Sequence, residues 1–217
     1  MKLAAYLPLL LLNPLLSTAQ LTKGQWMVGG SGDLSYTSNV HKTANSNDNV
    51  QQTAYNIFPG AGYFFIDRFV AGLQGNFSSS KSTEKKNGGS NGFYYGGSDE
   101  TLAQGAGIGL FARYYLYKPV SIFNVFAQAA YTYNSIKETS HSVYGSSGPY
   151  GPGSSYYDTE TKYKINYYSI TAGPAIFIGS KVSFELSLGY AFGKVPNEDQ
   201  SIDRLTVGTG FQVFLGK

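Results

Sequence analysis

One stretch near the end of the chain decides the fold, and it reads VSFELSLGYAF over residues 182–192. Large apolar side chains occupy every second position from Val182 to Phe192, and the positions between them hold Ser, Glu, Gly and Ala. Successive side chains of a β-strand point to opposite faces, so this period of two predicts a strand with one apolar and one polar face. The only charged residue of the stretch, Glu185, stands on the polar face.

Seven other stretches of the sequence show the same alternation. The first run extends from Trp26 to Tyr36, and the others cover about 53–65, 69–79, 101–116, 122–137, 162–178 and 204–215, while the stretch quoted above extends over about 182–193. Each run is flanked by residues that favour turns. The chain of 217 residues is therefore expected to form one all-β domain of eight strands.

The connections between these runs alternate in length. They are short after the second, fourth and sixth runs and long after the others, where they cover about 38–52, 80–100, 138–161 and 194–203. Short turns at one end and long loops at the other are typical of outer-membrane barrels, and closure of the sheet leaves no backbone edge in lipid. The sequence predicts an eight-stranded antiparallel up-and-down transmembrane β-barrel, with both chain ends on the side of the short turns.

The positions of the charges favour a membrane barrel over a soluble one. Charged residues are only 13% of the chain, and just Asp33, Arg113 and Glu185 fall well inside the runs, each on the face opposite to the apolar series. A charge that faces the middle of the bilayer costs about 2–4 kcal/mol for Arg or Lys. Aromatic residues toward the run ends would form the girdles at the two interfaces, and they are Trp26, Tyr36, Tyr55, Tyr63, Tyr114, Tyr133, Tyr168, Tyr190 and Phe192.

The composition also excludes several kinds of site. The absence of cysteine excludes disulfides, cysteine-bound zinc and a thiol nucleophile. The net charge of +3 comes from scattered lysines and does not indicate a nucleic-acid partner. No cofactor or metal site is expected.

The first residues have the features of a secretory signal. Lys2 precedes a mostly apolar stretch from Leu3 to Leu16, and small residues at 17–19 form the expected cleavage site. We therefore expect a signal peptide over residues 1–19 and the barrel domain over 20–217.

Together these features resemble the small eight-stranded outer-membrane β-barrel family, the OmpA/OmpX-like and opacity-like proteins. The segment IFPGAGYFF at 57–65, followed by the turn Asp67-Arg68 and by 70–73, is similar to the second hairpin of that family. We expect a non-enzymatic monomer in the outer membrane of a diderm (Gram-negative) bacterium, with a side-chain-filled lumen and either a structural or a surface-binding role. Its expected partners are outer-membrane lipid and lipopolysaccharide, the barrel-assembly machinery during biogenesis, and a surface ligand that the sequence does not identify.

The three charges inside the strands are the candidates for an interior polar network. Arg113 and Glu185 each lie a few residues from a short turn, so we expect them at similar depth in the lumen. We favour an ion pair between them, with Asp33 as a third member, because an unpaired buried charge costs several kcal/mol. The resemblance supports this hypothesis, since such barrels often hold an interior network. The alternative is that each charge is solvated in a wet lumen.

The long loops are the candidate working surface. Tyrosines stand among Gly and Ser in two of them, a composition that gives adaptable contacts in binding loops, and they are Tyr94, Tyr95, Tyr144, Tyr150, Tyr156 and Tyr157. The alternative is a solvated loop without a partner. His41 and His141 fall in loops and show no catalytic arrangement, so no catalytic residue is expected.

Two other functions remain compatible with the sequence. One is a soluble secreted or periplasmic barrel, similar to a lipocalin, that binds an apolar ligand. The other is a small pore, although small inward residues beside a few large ones favour a lumen that side chains fill.

Overall fold

The computed structural model describes residues 21–42, 46–90, 93–117, 122–148, 151–194 and 201–216. The expected signal peptide at 1–19 lies outside the described residues, so it stays a prediction. The strands are β1 (Trp26–Lys42), β2 (Ser46–Ile66), β3 (Phe69–Ser90), β4 (Phe93–Tyr115), β5 (Phe123–Gly148), β6 (Gly151–Ile178), β7 (Val182–Lys194) and β8 (Ser201–Leu215). Among the described residues, no helix is long and apolar enough to cross a membrane.

The eight strands form a closed antiparallel barrel in which each strand pairs with its neighbours in sequence and β1 pairs with β8. The predicted fold class is therefore confirmed. The short connections lie at one end of the barrel, which we call the turn end, and the opposite end is the hairpin end. Arg68 and Gly179 adopt positive φ angles of 67° and 69° in two of these turns. Both Trp26 and Leu215, which pair with each other, lie at the turn end.

Inside and outside alternate along the part of each strand that forms the barrel wall, as the sequence predicts. In β7, Ser183, Glu185 and Ala191 are buried, whereas Phe184 and Leu186 are exposed. The exposed apolar side chains form a continuous belt around the wall that includes Val28, Ile57, Leu73, Ile108, Leu110, Ile170, Leu188 and Val207. The barrel thus has an apolar outer surface and a largely polar interior, the reverse of a soluble barrel.

Aromatic rings border the belt on both sides. At the turn end, Trp26 packs against Tyr63 with ring centroids 5.3 Å apart. Toward the hairpin end, Tyr168 lies 5.7 Å from Phe192. The first outward ion pairs follow above the upper rings, between Lys81 and Glu100 at 2.7 Å and between Lys137 and Glu160 at 2.9 Å. Charged side chains therefore begin on the outer wall where the apolar belt ends.

The long connections are mostly not loops, which corrects the loop prediction. The segments expected as loops at 80–100 and 138–161 are continuous with β3–β4 and β5–β6, and β6 alone has 28 residues. Their Gly and Ser residues are poor strand formers alone. The unbroken register from Phe69↔Tyr114 to Ser90↔Phe93 extends the ladder of the barrel wall outward, so pairing with a preformed neighbour overrides this local preference.

These extensions form what we call the projecting sheet, the part of β1–β6 beyond the aromatic rings of the hairpin end. Among the described residues, β7 and β8 take no part in it, because the described part of β7 ends at Lys194, opposite Asn166 of the much longer β6. The wall of the barrel is therefore low over β7–β8 and high elsewhere.

Replacement of Leu110 by Arg tests the apolar belt. Leu110 is exposed and pairs with Leu73 and Tyr131 near the middle of the belt. If lipid covers this position, L110R lowers the free energy of unfolding in phospholipid vesicles by about 2–4 kcal/mol. Thr139→Arg, on the outer face of the projecting sheet, is the matched control and leaves it nearly unchanged. Equal effects of the two variants would contradict the assignment of the belt to the bilayer.

Candidate functional sites in the lumen and on the projecting sheet

The turn end of the lumen is closed by a plug of apolar side chains. Its buried members are Leu21, Met27, Phe64, Val70, Phe111, Tyr115, Phe126, Ala175, Phe177 and Phe214. The rings contact one another directly, with centroids 5.5 Å apart for Phe177 and Phe214 and 6.4 Å apart for Tyr115 and Phe126. The plug fills the cross-section, as expected for the interior of an eight-stranded barrel.

An ion pair lies directly on the plug. Arg113 of β4 donates from Nη1 to both carboxylate oxygens of Glu185 on β7, at 2.8 Å each. The side chains are only 5% and 1% exposed. The structure thus brings together two of the three charges that the sequence singled out, across the lumen and 72 positions apart in the chain.

Neutral groups satisfy the rest of this pair. Arg113 Nε donates to Gln128 at 2.8 Å, and its guanidinium stacks over the ring of Phe126 at 4.3 Å. Glu185 accepts additional hydrogen bonds from Tyr115 Oη at 3.2 Å and from Gln212 at 3.3 Å. A buried ion pair is tolerated only with such partners, because desolvation otherwise exceeds the attraction. Tyr115, Gln128 and Gln212 share the inward parity of the charged residues, and this parity is the only sign in the sequence that they belong to the network.

Asp33, the third charge that the sequence singles out, makes a separate interior contact. Its carboxylate instead accepts a hydrogen bond of 2.7 Å from Asn56. The reason is depth: Glu185 pairs with Gly210, which pairs with Ser31, so Asp33 points inward one step nearer to the hairpin end.

Asn56 connects Asp33 to a further charged residue, Arg204, which is not among the three charges that the sequence singles out. Arg204 of β8 donates from Nη1 to Asn56 Oδ1 at 3.2 Å, so an arginine and an aspartate flank one amide. Arg204 stands near the start of its strand, so it does not fall well inside the eighth run of the sequence. Its parity with Thr206 and Gly208 was the signal that could have placed it inside the lumen.

Above the ion pair the lumen is not filled. A cavity of about 520 Å³ occupies the hairpin half of the barrel, lined by amide, hydroxyl and charged groups that include Asp33, Asn56, Asn76, Asn134 and Arg204. The Asn76 amide donates to Asn134 Oδ1 at 2.8 Å across its floor. The expectation of a filled lumen therefore describes the turn half of the barrel only.

On the projecting sheet, Tyr144 and Asp99 form the best-defined polar contact. Tyr144 Oη donates to both oxygens of Asp99, at 2.7 and 2.9 Å, and Lys86 Nζ lies 3.6 Å from the same carboxylate. Gly97 makes room for this ring, since a Cβ atom there would approach Tyr144 Cδ1 to 2.7 Å. Tyr144, Tyr95 and Lys86 border a hollow of about 330 Å³ whose remaining wall is Gly and Ser backbone.

The pKa values of this cluster follow from its contacts. Burial acts to raise the pKa of Asp99, but hydrogen bonds from Ser142 and Tyr144 and the charge of Lys86 outweigh it and hold the pKa below its ordinary value. The pKa of Lys86 is raised, first by its hydrogen bond to Glu84. Asp99 is therefore ionised and Lys86 protonated at neutral pH.

The six candidate tyrosines do not form one cluster. Tyr95 and Tyr144 share the hollow, whereas Tyr156 and Tyr157 are adjacent exposed residues of β6 and so point to opposite faces of the sheet. Tyr94 lies in β4, and Tyr150 lies outside the described residues.

His141 shows no catalytic geometry. It contacts Asp158 on the next strand, and both side chains are well exposed. Ser142, its neighbour in sequence, hydrogen-bonds Asp99 on the other face of the sheet and so points away from the imidazole. Among the described residues, no group of three His, Cys, Asp or Glu side chains is arranged to hold a metal ion.

The fold is similar to several solved outer-membrane barrels. They include the N-terminal β-barrel domain of Pseudomonas aeruginosa OprF (12% identity, TM-score 0.45, covering 89% of this chain and 98% of that one) and OprG from Pseudomonas aeruginosa (10%, 0.43, 93% and 98%). Neisserial surface protein A is a third (13%, 0.39, 88% and 97%). No family model matches the chain, and no curated protein matches it. The fold assignment rests on the closed ladder of the chain itself.

A double-mutant cycle measures the interior ion pair. Arg113→Ala and Glu185→Ala each leave one buried charge unpaired, so each lowers the free energy of unfolding in detergent by about 3–5 kcal/mol. The double variant loses much less than the sum of the two, because neither charge remains. Additive losses would contradict the pairing. The Arg113→Ala and Asp33→Asn pair serves as the control and is expected to be additive, since these two residues do not contact each other.

The Tyr144 hydroxyl can be tested through the pKa of Asp99. Tyr144→Phe removes a donor to the carboxylate and is expected to raise that pKa toward its ordinary value, as measured by NMR titration of the Asp99 carboxyl carbon. Because the pKa of Asp99 is lowered on folding, its stabilising contribution is present at neutral pH and is lost as the pH falls through that lowered value. Tyr95→Phe is the control, and an unchanged Asp99 pKa in Tyr144→Phe would disprove the contact.

Proposed function

We propose that the chain is a non-enzymatic outer-membrane β-barrel protein of a Gram-negative bacterium that binds a ligand outside the cell on its projecting sheet. The observation that carries the membrane assignment is the aromatic-bordered apolar belt around a closed ring whose interior is polar. In this orientation the turn end faces the periplasm and the hairpin end faces outward. Lipid and lipopolysaccharide contact the belt, and the barrel-assembly machinery inserts the chain.

The projecting sheet is the candidate binding surface for three reasons. It extends beyond the belt as paired strands, so its backbone is already ordered before a ligand arrives, which lowers the entropic cost of binding. Its hollow is bordered by the rings of Tyr95 and Tyr144 and by Lys86, whose ammonium lies 3.6 Å from the carboxylate of Asp99. Tyrosine rings bury large area with few rotatable bonds, and Gly and Ser leave the rest of the surface open.

The two alternatives receive less support. A soluble lipocalin-like barrel would carry its apolar residues inside, whereas here Leu73, Leu110 and Leu188 face outward. A pore would need an open path, and the plug with the Arg113–Glu185 pair obstructs the lumen.

The membrane assignment is tested by fractionation and gel mobility of the full chain. The protein is expected in the outer-membrane fraction after a carbonate wash, and it should migrate faster before boiling than after it, as a closed barrel does. Release into the soluble fraction would favour the lipocalin-like alternative. In planar bilayers, large and stable single-channel steps would instead favour the pore.

Surface binding is tested with cells that display the full chain over immobilised glycans and matrix proteins. Tyr95→Ser combined with Tyr144→Ser is expected to reduce retention by about tenfold, because two anchoring rings are lost. Tyr156→Ser, which removes an exposed tyrosine outside the hollow, is the control. Failure of every displayed surface to retain cells above the level of cells without the protein would contradict a binding role.

A further inference from the structure

The wall of the barrel is split between β1 and β8 toward the hairpin end. In the part of the chain that the structure describes, their pairing runs from Trp26↔Leu215 to Asp33↔Gly208 and ends there, although β1 continues to Lys42 and β8 begins at Ser201. Each strand keeps its other neighbour over this stretch, β2 for β1 and β7 for β8. Two sheet edges therefore diverge from a common point, and the seam of the barrel opens above Asp33.

The split begins at the hairpin-end border of the apolar belt. Leu34 is paired with Tyr55, one of the rings that border the belt, and Leu34, Leu205 and Val207 are 74%, 70% and 71% exposed. These three belong to the outward-facing series of their strands, yet they also line the 520 Å³ cavity of the lumen. The wall beside these three residues is interrupted, because the pairing of β1 with β8 has ended at Asp33↔Gly208. The cavity is thus open sideways, at the level of the outer leaflet.

This opening joins two chemically different environments. Hydrocarbon offers no hydrogen bonds to the free edges of β1 and β8, whereas the cavity behind them is lined by Asn, Ser, Thr and Arg side chains. A molecule with a polar head and an apolar chain would match both sides, with its head in the cavity and its chain against Leu34, Leu205 and Val207.

The charges at the split indicate which head group fits. Arg204 on β8 and Asp33 on β1 line the cavity on the two sides of the split. The side-chain amide of Asn56 forms a hydrogen bond with each of them. Among the described residues, no carboxylate lies within 4.0 Å of the Arg204 guanidinium. A positive and a negative group separated by one amide are complementary to a dipolar head group, whose own charges are close together and opposite in sign.

We propose that the split is a binding site for a single-chain zwitterionic amphiphile. Its anionic group lies at Arg204, its cationic group lies at Asp33, and its alkyl chain leaves through the seam into the outer leaflet. The ion pair of Arg113 with Glu185 and the plug below it stop the head group from moving on to the periplasm. The molecule is therefore held at the seam and not conducted through the barrel.

The test uses the full chain in dodecyl maltoside micelles, titrated with dodecylphosphocholine, with retained amphiphile counted by native mass spectrometry. One molecule per chain is expected to be retained in excess of maltoside, which has the same alkyl chain. Arg204→Met and Asp33→Asn are each expected to lower retention about tenfold, through loss of one charged contact. The matched controls are Lys81→Met and Glu100→Gln, which remove a charge of each sign on the outer wall and leave retention unchanged.

Head-group chemistry and a steric variant make the test decisive. Dodecyl phosphate and dodecyltrimethylammonium, each with one of the two charges, are expected to be retained less well than dodecylphosphocholine. Thr206→Trp, which fills the cavity beside the seam without removing a charge, is expected to abolish retention. Faster gel migration before boiling verifies that each variant is folded. Equal retention of all head groups, or unchanged retention in the folded Arg204→Met and Thr206→Trp variants, would overturn the proposal.

Discussion

The structure depends on one constraint, that hydrocarbon cannot hydrogen-bond a peptide group. A sheet that crosses lipid must therefore pair every strand on both sides, and the ladder from β1 around to β8 does so through the lower part of the wall. Closure of eight strands leaves a narrow interior. Residues at inward positions must therefore either be small, such as Gly107 and Gly109, or pack tightly against one another as the side chains of the plug do. The outer face is left to apolar side chains, which explains why charge is scarce in this sequence.

Much of this architecture could be predicted because a period of two carries both facts that matter, which residues form strands and which face they occupy. The inward assignment of Arg113 and Glu185 followed from parity alone. Their contact also followed from depth, since both lie near short turns. The contact of Asp33 with Asn56 could not be predicted in the same way, because parity gives the face of a residue but not its height relative to strands far away in the sequence. That height depends on the register between β7, β8 and β1, which no local pattern encodes.

The projecting sheet could not be predicted from the local preferences of its residues. The segments 80–100 and 138–161 contain the Gly, Ser and Asn that favour turns, so local preference predicts loops. In the protein these residues continue strands that the barrel has already paired, and the hydrogen bonds of the ladder outweigh the preference of each residue. For the same reason the hollow at Tyr95 and Tyr144 could not be foreseen, because it forms only when β4 and β5 are held in register by the wall below them.

The cross-lumen bond between β4 and β7 has a mechanical consequence. These strands stand on separate parts of the ring with β5 and β6 between them, so the bond connects them along a chord. A short guanidinium–carboxylate contact at this level holds β4 and β7 at a fixed separation. It therefore resists any deformation that would flatten the circular cross-section of the barrel into an ellipse.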